Sequence, residues 1–330
     1  MLGWFYKNNP ANVILLLLFA VLVKFPIFLH PHTAIIGASD GIFYSWFTQR
    51  VNALGTSANM LYSFLSFILL YTQAIQLNQI FNRHKMTSRG TDFAGMSYLL
   101  LSSLFPAWNY FSAPLIISSV FLLIFSFLMG AYHRPTIKGF LFNLGLILGL
   151  ISFVHQPAIF FAIWLLIAMM IVRPFYLNES MLMVLGMLTP FYFYGVYLFM
   201  IDKWDWHLYF QFINVHPPKM NKTLWDAGAL SLLFLPFLMG GYYVQENSRK
   251  MLIQVRKGWT LIFLFLLAAL IVPFFSIGNA YTSWFITVIA FASFHACTYL
   301  YSSLRIIPLL LFWVSLIFVL LAEYTSPLWG

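Results

Sequence analysis

Five carboxylates and five histidines of this 330-residue chain stand where they could do proton-transfer chemistry at one surface. The acids are Asp40, Asp202, Asp205, Asp226 and Glu323, and the histidines are His30, His32, His155, His207 and His216. A carboxylate or imidazole in such a place can take a proton from an incoming hydroxyl. Cations on the same side, Arg50, Lys203, Lys219 and Lys222, could hold a phosphate. Asp40 is the sharpest of these, because it opens a helix-like stretch that ends at Gly55, directly after the first apolar segment. The run Asp202-Lys203-Trp204-Asp205-Trp206-His207 would put its two acids on one face if helical. His155-Gln156-Pro157 joins two apolar segments so tightly that its polar groups would lie at the floor of an outer cavity. The catalytic candidate is therefore Asp40, and the substrate-binding candidates are Tyr44, Arg50, His155, Gln156, Asp202, Lys203, Asp205 and His207. No metal ligands are assigned.

Each of these residues also has a plainer reading. Ser39 would serve as an N-cap with Asp40 in the first helical turn, which accounts for the acid without catalysis. Arg50 lies about 15 Å from Asp40 along a helix axis, too far for an ion pair, and suits phosphate binding or snorkelling to headgroups equally. The 202–207 run reads equally as a solvated interfacial turn with aromatic anchors, and His30-Pro31-His32 as a polar boundary.

The elements that must position these groups are membrane helices. The chain is 62% hydrophobic and 8% charged, with 37 Phe and 11 Trp, and lacks the polar residues to cover a water-soluble domain. The reading is all-α: one polytopic transmembrane domain over 1–330. Eleven apolar segments are candidates for spans of about 20 residues each. They are roughly 11–29, 58–80, 92–105, 113–132, 139–154, 157–172, 180–200, 227–245, 259–277, 283–301 and 304–323, with 92–105 the weakest. The first reads as a retained span rather than a cleaved leader. The long loops after the first and seventh segments, 30–57 and 202–226, are expected to carry interfacial amphipathic helices. In the first loop Phe43, Trp46, Phe47, Val51 and Leu54 form a helical stripe, with Tyr44, Thr48 and Asn52 opposite.

Charge places the ends. With the N-terminus inside, twelve of the 17 Lys and Arg residues fall in cytoplasmic loops, among them Arg83, Arg89, Arg173, Lys257 and Arg305. The C-terminus is then outside, and the net charge of +9 is mostly a topology signal rather than a sign of nucleic-acid binding. The lone Cys297 has no partner for a disulfide or a thiolate metal site.

The run Ser39-Asp40-x-x-x-Tyr44-x-Trp46, ending in Ala53-Leu54-Gly55 before the second span, resembles the first extracytoplasmic loop of GT-C membrane glycosyltransferases that use polyprenyl-phosphate sugars. The resemblance covers about twenty residues plus the N-inside topology. It implies that Asp40 acts as general base on the acceptor or positions it and a metal, so that a divalent cation is a conceivable cofactor. The family usually carries a second acid beside the first, where this chain has Gly41. The whole chain also resembles an uncharacterised family of bacterial polytopic inner-membrane proteins, which implies multi-pass residence in that membrane.

Other chemistries have no support in the residues. There is no Walker loop, no zinc-protease histidine pair and no Gly-x-Ser-x-Gly elbow. Beyond Lys24 near a span end and His295, the spans carry almost no ionisable group, which disfavours an ion-coupled carrier. The leading expectation is a GT-C-like glycosyltransferase moving a sugar from a polyprenyl-phosphate donor to an envelope acceptor on the extracytoplasmic face. Membrane lipid and the polyprenyl-phosphate sugar would be its partners. The alternatives are a lipid or glycan transporter or flippase, and a non-catalytic membrane subunit of an envelope assembly that binds partner helices.

Overall fold

The computed structural model describes residues 2–6, 12–132, 138–174, 176–205, 223–276, 280–304 and 306–325. The described chain is helical: α1 (Asn12–Lys24), α2 (Pro26–Leu29), α3 (Ile42–Asn52), α4 (Ser57–Arg83), α5 (Phe93–Leu101), α6 (Ala113–Ala131), α7 (Lys138–Ser152), α8 (Phe161–Val172), α9 (Leu177–Met200), α10 (Leu224–Asn247), α11 (Ile253–Ile271), α12 (Ala280–Ser283), α13 (Val288–Tyr301) and α14 (Ile306–Thr325). Each of the eleven apolar segments holds at least one of these helices, the first of them both α1 and α2. Seven are long and apolar enough to cross a membrane, and α1, α7 and the Gln156–Val172 stretch are shorter apolar helices. The protein is thus an all-helical chain of membrane type.

The segment at 92–105 is not a simple span. Only Phe93–Leu101 is helical, nine residues whose side chains are all buried, and such a helix is about 13.5 Å long against a hydrocarbon core of about 30 Å. The chain continues through a turn and a 3-10 segment at Pro106–Asn109. The turn's backbone donors are satisfied within the protein, Ser102 N–H on Tyr98 O at 3.0 Å and Leu104 N–H on Leu101 O at 3.1 Å. Irregular backbone is tolerated at this depth only where protein, not lipid, surrounds it. Here α4 and α13 pack against α5, and every described residue of α13 from Val288 to Leu300 is buried. A helix apolar all round belongs in the middle of a bundle.

At the periphery α7 and α9 pair through small residues. A Cβ on Gly145 would fall on the Met183 carbonyl, and one on Gly186 on the Phe142 carbonyl, so glycine lets the two backbones touch. The far side of α9 turns Tyr192, Phe193 and Phe199 outward.

Long-range contacts sort the loops into two ends. At one, Ser88 N–H meets Tyr301 Oη at 2.8 Å, Trp259 Nε1 meets Met86 O at 3.1 Å, and Lys257 Nζ meets Val172 O at 3.1 Å. This end carries Arg83, Arg89, Arg256 and Lys257. The opposite end joins α3, Phe111, the turn after α7, Ser276 and Thr282–Ser283, and it contains Asp40.

Candidate functional site

The segment 39–43 pairs with the turn after α7. Gly41 N–H donates to Val154 O at 2.9 Å, Phe43 N–H to Phe153 O at 3.0 Å and Gln156 N–H to Ser39 O at 3.0 Å, and Asp40 and His155 form an isolated antiparallel bridge. His155 can take part because it is extended, φ −141° and ψ 107°, ahead of a 3-10 turn that begins Gln156-Pro157. Two residues 115 apart in sequence are thereby set side by side: His155 Nδ1 lies 3.2 Å from Asp40 Oδ1.

This arrangement corrects the capping expectation. α3 begins at Ile42 with Gly41 as an extended N-cap that makes no side-chain cap, so neither Ser39 nor Asp40 caps it. The Asp40 carboxylate instead accepts the Gly37 N–H at 2.7 Å and faces His155. The pairing with 153–156 holds these residues extended in place of a further helical turn.

The two side chains are 6% and 2% exposed, respectively. A carboxylate only accepts, so His155 Nδ1 carries the proton in this contact, and in a neutral imidazole Nε2 then presents a lone pair. That Nε2 is buried and has no hydrogen-bond partner among the described residues, and the same holds for Gln156 Oε1. Beside the couple lies a cavity of about 10 Å³, the room of a single water. Its wall is rich in hydroxyls, with Ser39 Oγ 2.9 Å from Ser276 Oγ and Ser283 Oγ donating to Ser276 at 2.8 Å.

Gly41 also has a steric reason. An added Cβ would overlap the Phe153 carbonyl, so the adjacent acid expected from the GT-C resemblance has no space in this fold. Gly41→Ala is expected to destabilise the protein by about 1–3 kcal/mol, read as a lower thermal unfolding midpoint in detergent.

The other expected site residues part company. Tyr44 is 1% exposed and its hydroxyl donates to Ile35 O at 2.8 Å and Phe111 O at 3.2 Å, so it is a strut between α3 and the neighbouring loops rather than a substrate contact. Burial first, then the charge of Asp40 and the nearby Tyr62, push its phenol far above the ordinary value. The face of α3 turned into the protein is Tyr44, Thr48 and Val51, so Val51 leaves the expected stripe and Asn52 leaves the opposite face, while Phe43, Trp46 and Leu54 are exposed. Arg50 lies over the Trp46 ring at 5.9 Å, on the exposed side and away from Asp40.

Asp202, Lys203 and Asp205 do not share a helix face. α9 ends at Met200, Asp202 takes a positive φ of 53°, and Lys203 N–H closes the turn on Leu198 O at 3.0 Å. All three residues are exposed. His207, and with it the interfacial helix expected in the 202–226 loop, lies outside the described residues. Asp226 forms a reciprocal capping box with Thr223 at the start of α10. His32 packs on Tyr110, with Nε2 3.1 Å from its hydroxyl, and burial, with a contribution from His30, lowers its pKa.

A second polar assembly was not anticipated from sequence. Lys24 is fully buried and its Nζ donates to Ser102 Oγ at 2.8 Å and Asn109 Oδ1 at 2.5 Å. Asn109 Nδ2 in turn donates to Glu323 Oε1, and Glu323 is buried in α14 rather than displayed on the outer surface. One signal was present: a lone acid and a lone lysine inside apolar segments are expected to find each other.

Among the described residues no group of three or more His, Cys, Asp or Glu side chains converges closely enough to hold a metal ion. Asp40 and His155 offer two donors, one of them already hydrogen-bonded to the other, which does not amount to a cation site. No family model matches the chain, and no curated protein or solved structure matches it either.

Proposed function

We propose that the chain is a GT-C-like membrane glycosyltransferase, which moves a sugar from a polyprenyl-phosphate donor to an envelope acceptor on the extracytoplasmic face of the bacterial inner membrane. One observation carries this reading: a buried Asp–His couple whose imidazole Nε2 lacks a partner among the described residues, at the end of the bundle opposite the basic loops. In the proposed step the acceptor hydroxyl gives its proton to His155 Nε2 as its oxygen bonds to the anomeric carbon. The bond from that carbon to the donor phosphate breaks, and the polyprenyl phosphate leaves with the electron pair. Asp40 accepts from Nδ1 throughout, keeping the ring in the reactive tautomer and balancing the charge it gains. The base expected to be Asp40 is thus His155, with Asp40 as its positioning residue.

A second reading, a non-catalytic subunit of an envelope assembly, is favoured by one fact: the cavity beside the couple holds about one water and no sugar. Asp40→Asn in native membranes separates the two. If the variant inserts normally and the envelope glycan is lost, transfer chemistry is supported. Wild-type glycan with normal insertion overturns it and leaves the assembly reading.

A further inference from the structure

A cavity of about 500 Å³ opens between α1, α4 and α6 at the Arg83 end of the bundle, far from Asp40 in the fold. Its size lies within the range of about 300–1,000 Å³ common to small-molecule sites, and its lining is divided. The inner wall is built of carboxamides and one acid. Asn12 Nδ2 donates to Asp92 Oδ2 at 2.6 Å, Asn78 Nδ2 donates to Asp92 Oδ1 at 3.2 Å, and Asn78 Oδ1 accepts the Gly95 N–H at 2.7 Å. These groups hold one another and form a rigid polar floor.

Two features of the wall are left for an occupant. The Gln76 Oε1 atom is buried and has no hydrogen-bond partner among the described residues, a costly state that a ligand donor would relieve. Arg83 lines the same cavity and makes no ion pair among the described residues. The remaining wall is apolar, and two of its members, Val13 of α1 and Leu123 of α6, are 47% and 45% exposed on the outer face of the bundle. A polar chamber with one cation among the described residues, entered between exposed apolar residues, has the form of a site for an amphiphile.

We propose that this cavity binds a glycerophospholipid with a hydroxylated head. Its phosphodiester would be placed at Arg83 and a headgroup hydroxyl at Gln76 Oε1, with the acyl chains leaving past Val13 and Leu123. Phosphate recognition by a guanidinium and hydroxyl recognition by carboxamides account for both halves of the lining. The site is independent of the transfer reaction proposed above and stands whether or not that reaction occurs.

The test is lipid binding to the purified full chain in detergent, read by native mass spectrometry and by the thermal unfolding midpoint. The probes are phosphatidylglycerol, diacylglycerol without a phosphate, and glycerol phosphate without a tail. Phosphatidylglycerol is expected to bind one per chain and raise the midpoint, with both other probes at least about tenfold weaker. Arg83→Gln, an exposed change that leaves the fold intact, should weaken phosphatidylglycerol about tenfold. Ser126→Phe, which fills the chamber from α6, should abolish binding, and Arg83→Gln decides alone if that variant fails to fold. Equal binding of diacylglycerol, equal binding of glycerol phosphate, or phosphatidylglycerol binding indifferent to Arg83→Gln would each overturn the assignment.

Discussion

Under the proposed transfer reaction, replacing His155 by glutamine is expected to lower sugar transfer by about 10²–10⁴-fold, the usual contribution of a positioned general base. Glutamine keeps a polar side chain next to Asp40 but offers no basic nitrogen at the Nε2 position. Asp40→Asn should fall in the same range, because an amide facing Nδ1 no longer selects the tautomer that leaves Nε2 free to accept a proton. Since the two side chains act as one unit through the 3.2 Å contact, the double variant should lose little more than either single one. Rates of glycan transfer in proteoliposomes, with insertion verified for each protein, give the three numbers. Losses that multiply would mean separate roles, and unchanged rates would remove the couple from the chemistry. Stability offers an independent readout, because a merely structural pair would lower the unfolding midpoint in step with the activity.

Lys24→Met is expected to destabilise the protein by about 1–3 kcal/mol, the cost typical of leaving buried hydrogen-bonding groups without their partner. The lysine is buried at the end of α1 and shares Asn109 with Glu323, so its removal takes away the donor that Ser102 Oγ and Asn109 Oδ1 accept from inside an apolar bundle. Glu323→Gln should cost less, because the amide can still accept from Asn109. The double variant Lys24→Met/Glu323→Leu should recover most of the loss, since apolar residues of similar size are often as stable as the pair they replace. Denaturant unfolding in detergent micelles would measure all three. The exposed Lys203→Met serves as the reference and should leave the transition unmoved. A small effect of Lys24→Met would mean that Ser102 and Asn109 find other donors once the lysine is gone.

The two assemblies differ in how much of them could be read from the chain. Apolar runs, basic loops and the stripe Phe43, Trp46, Phe47, Val51 and Leu54 are local patterns, because each depends on residues within a few turns and on the one-dimensional fact that lipid accepts no unpaired backbone. Those patterns determined the membrane class, a helix in each of the eleven apolar segments, the amphipathic helix after the first of them, and the clustering of basic loops at one end. They also brought Asp40, His155 and Gln156 forward as polar groups in otherwise apolar surroundings.

What tertiary structure decided was every pairing across long separations. His155 meets Asp40 over 115 residues, and Glu323 meets Asn109 over 214. Nothing in the local pattern of either partner specifies the other. The same holds for Gly41, whose missing side chain makes sense only once the Phe153 carbonyl lies against it. It holds as well for α5, where nine buried residues replaced an expected span because α4 and α13 supply the surroundings that lipid would otherwise provide. Tyr44 looked like a site residue by sequence and became a strut, since which face of a short amphipathic helix turns inward depends on the neighbours that bury it. Hydropathy is a property of a segment by itself, whereas a site is a property of the space between segments. That space exists only after the helices have packed.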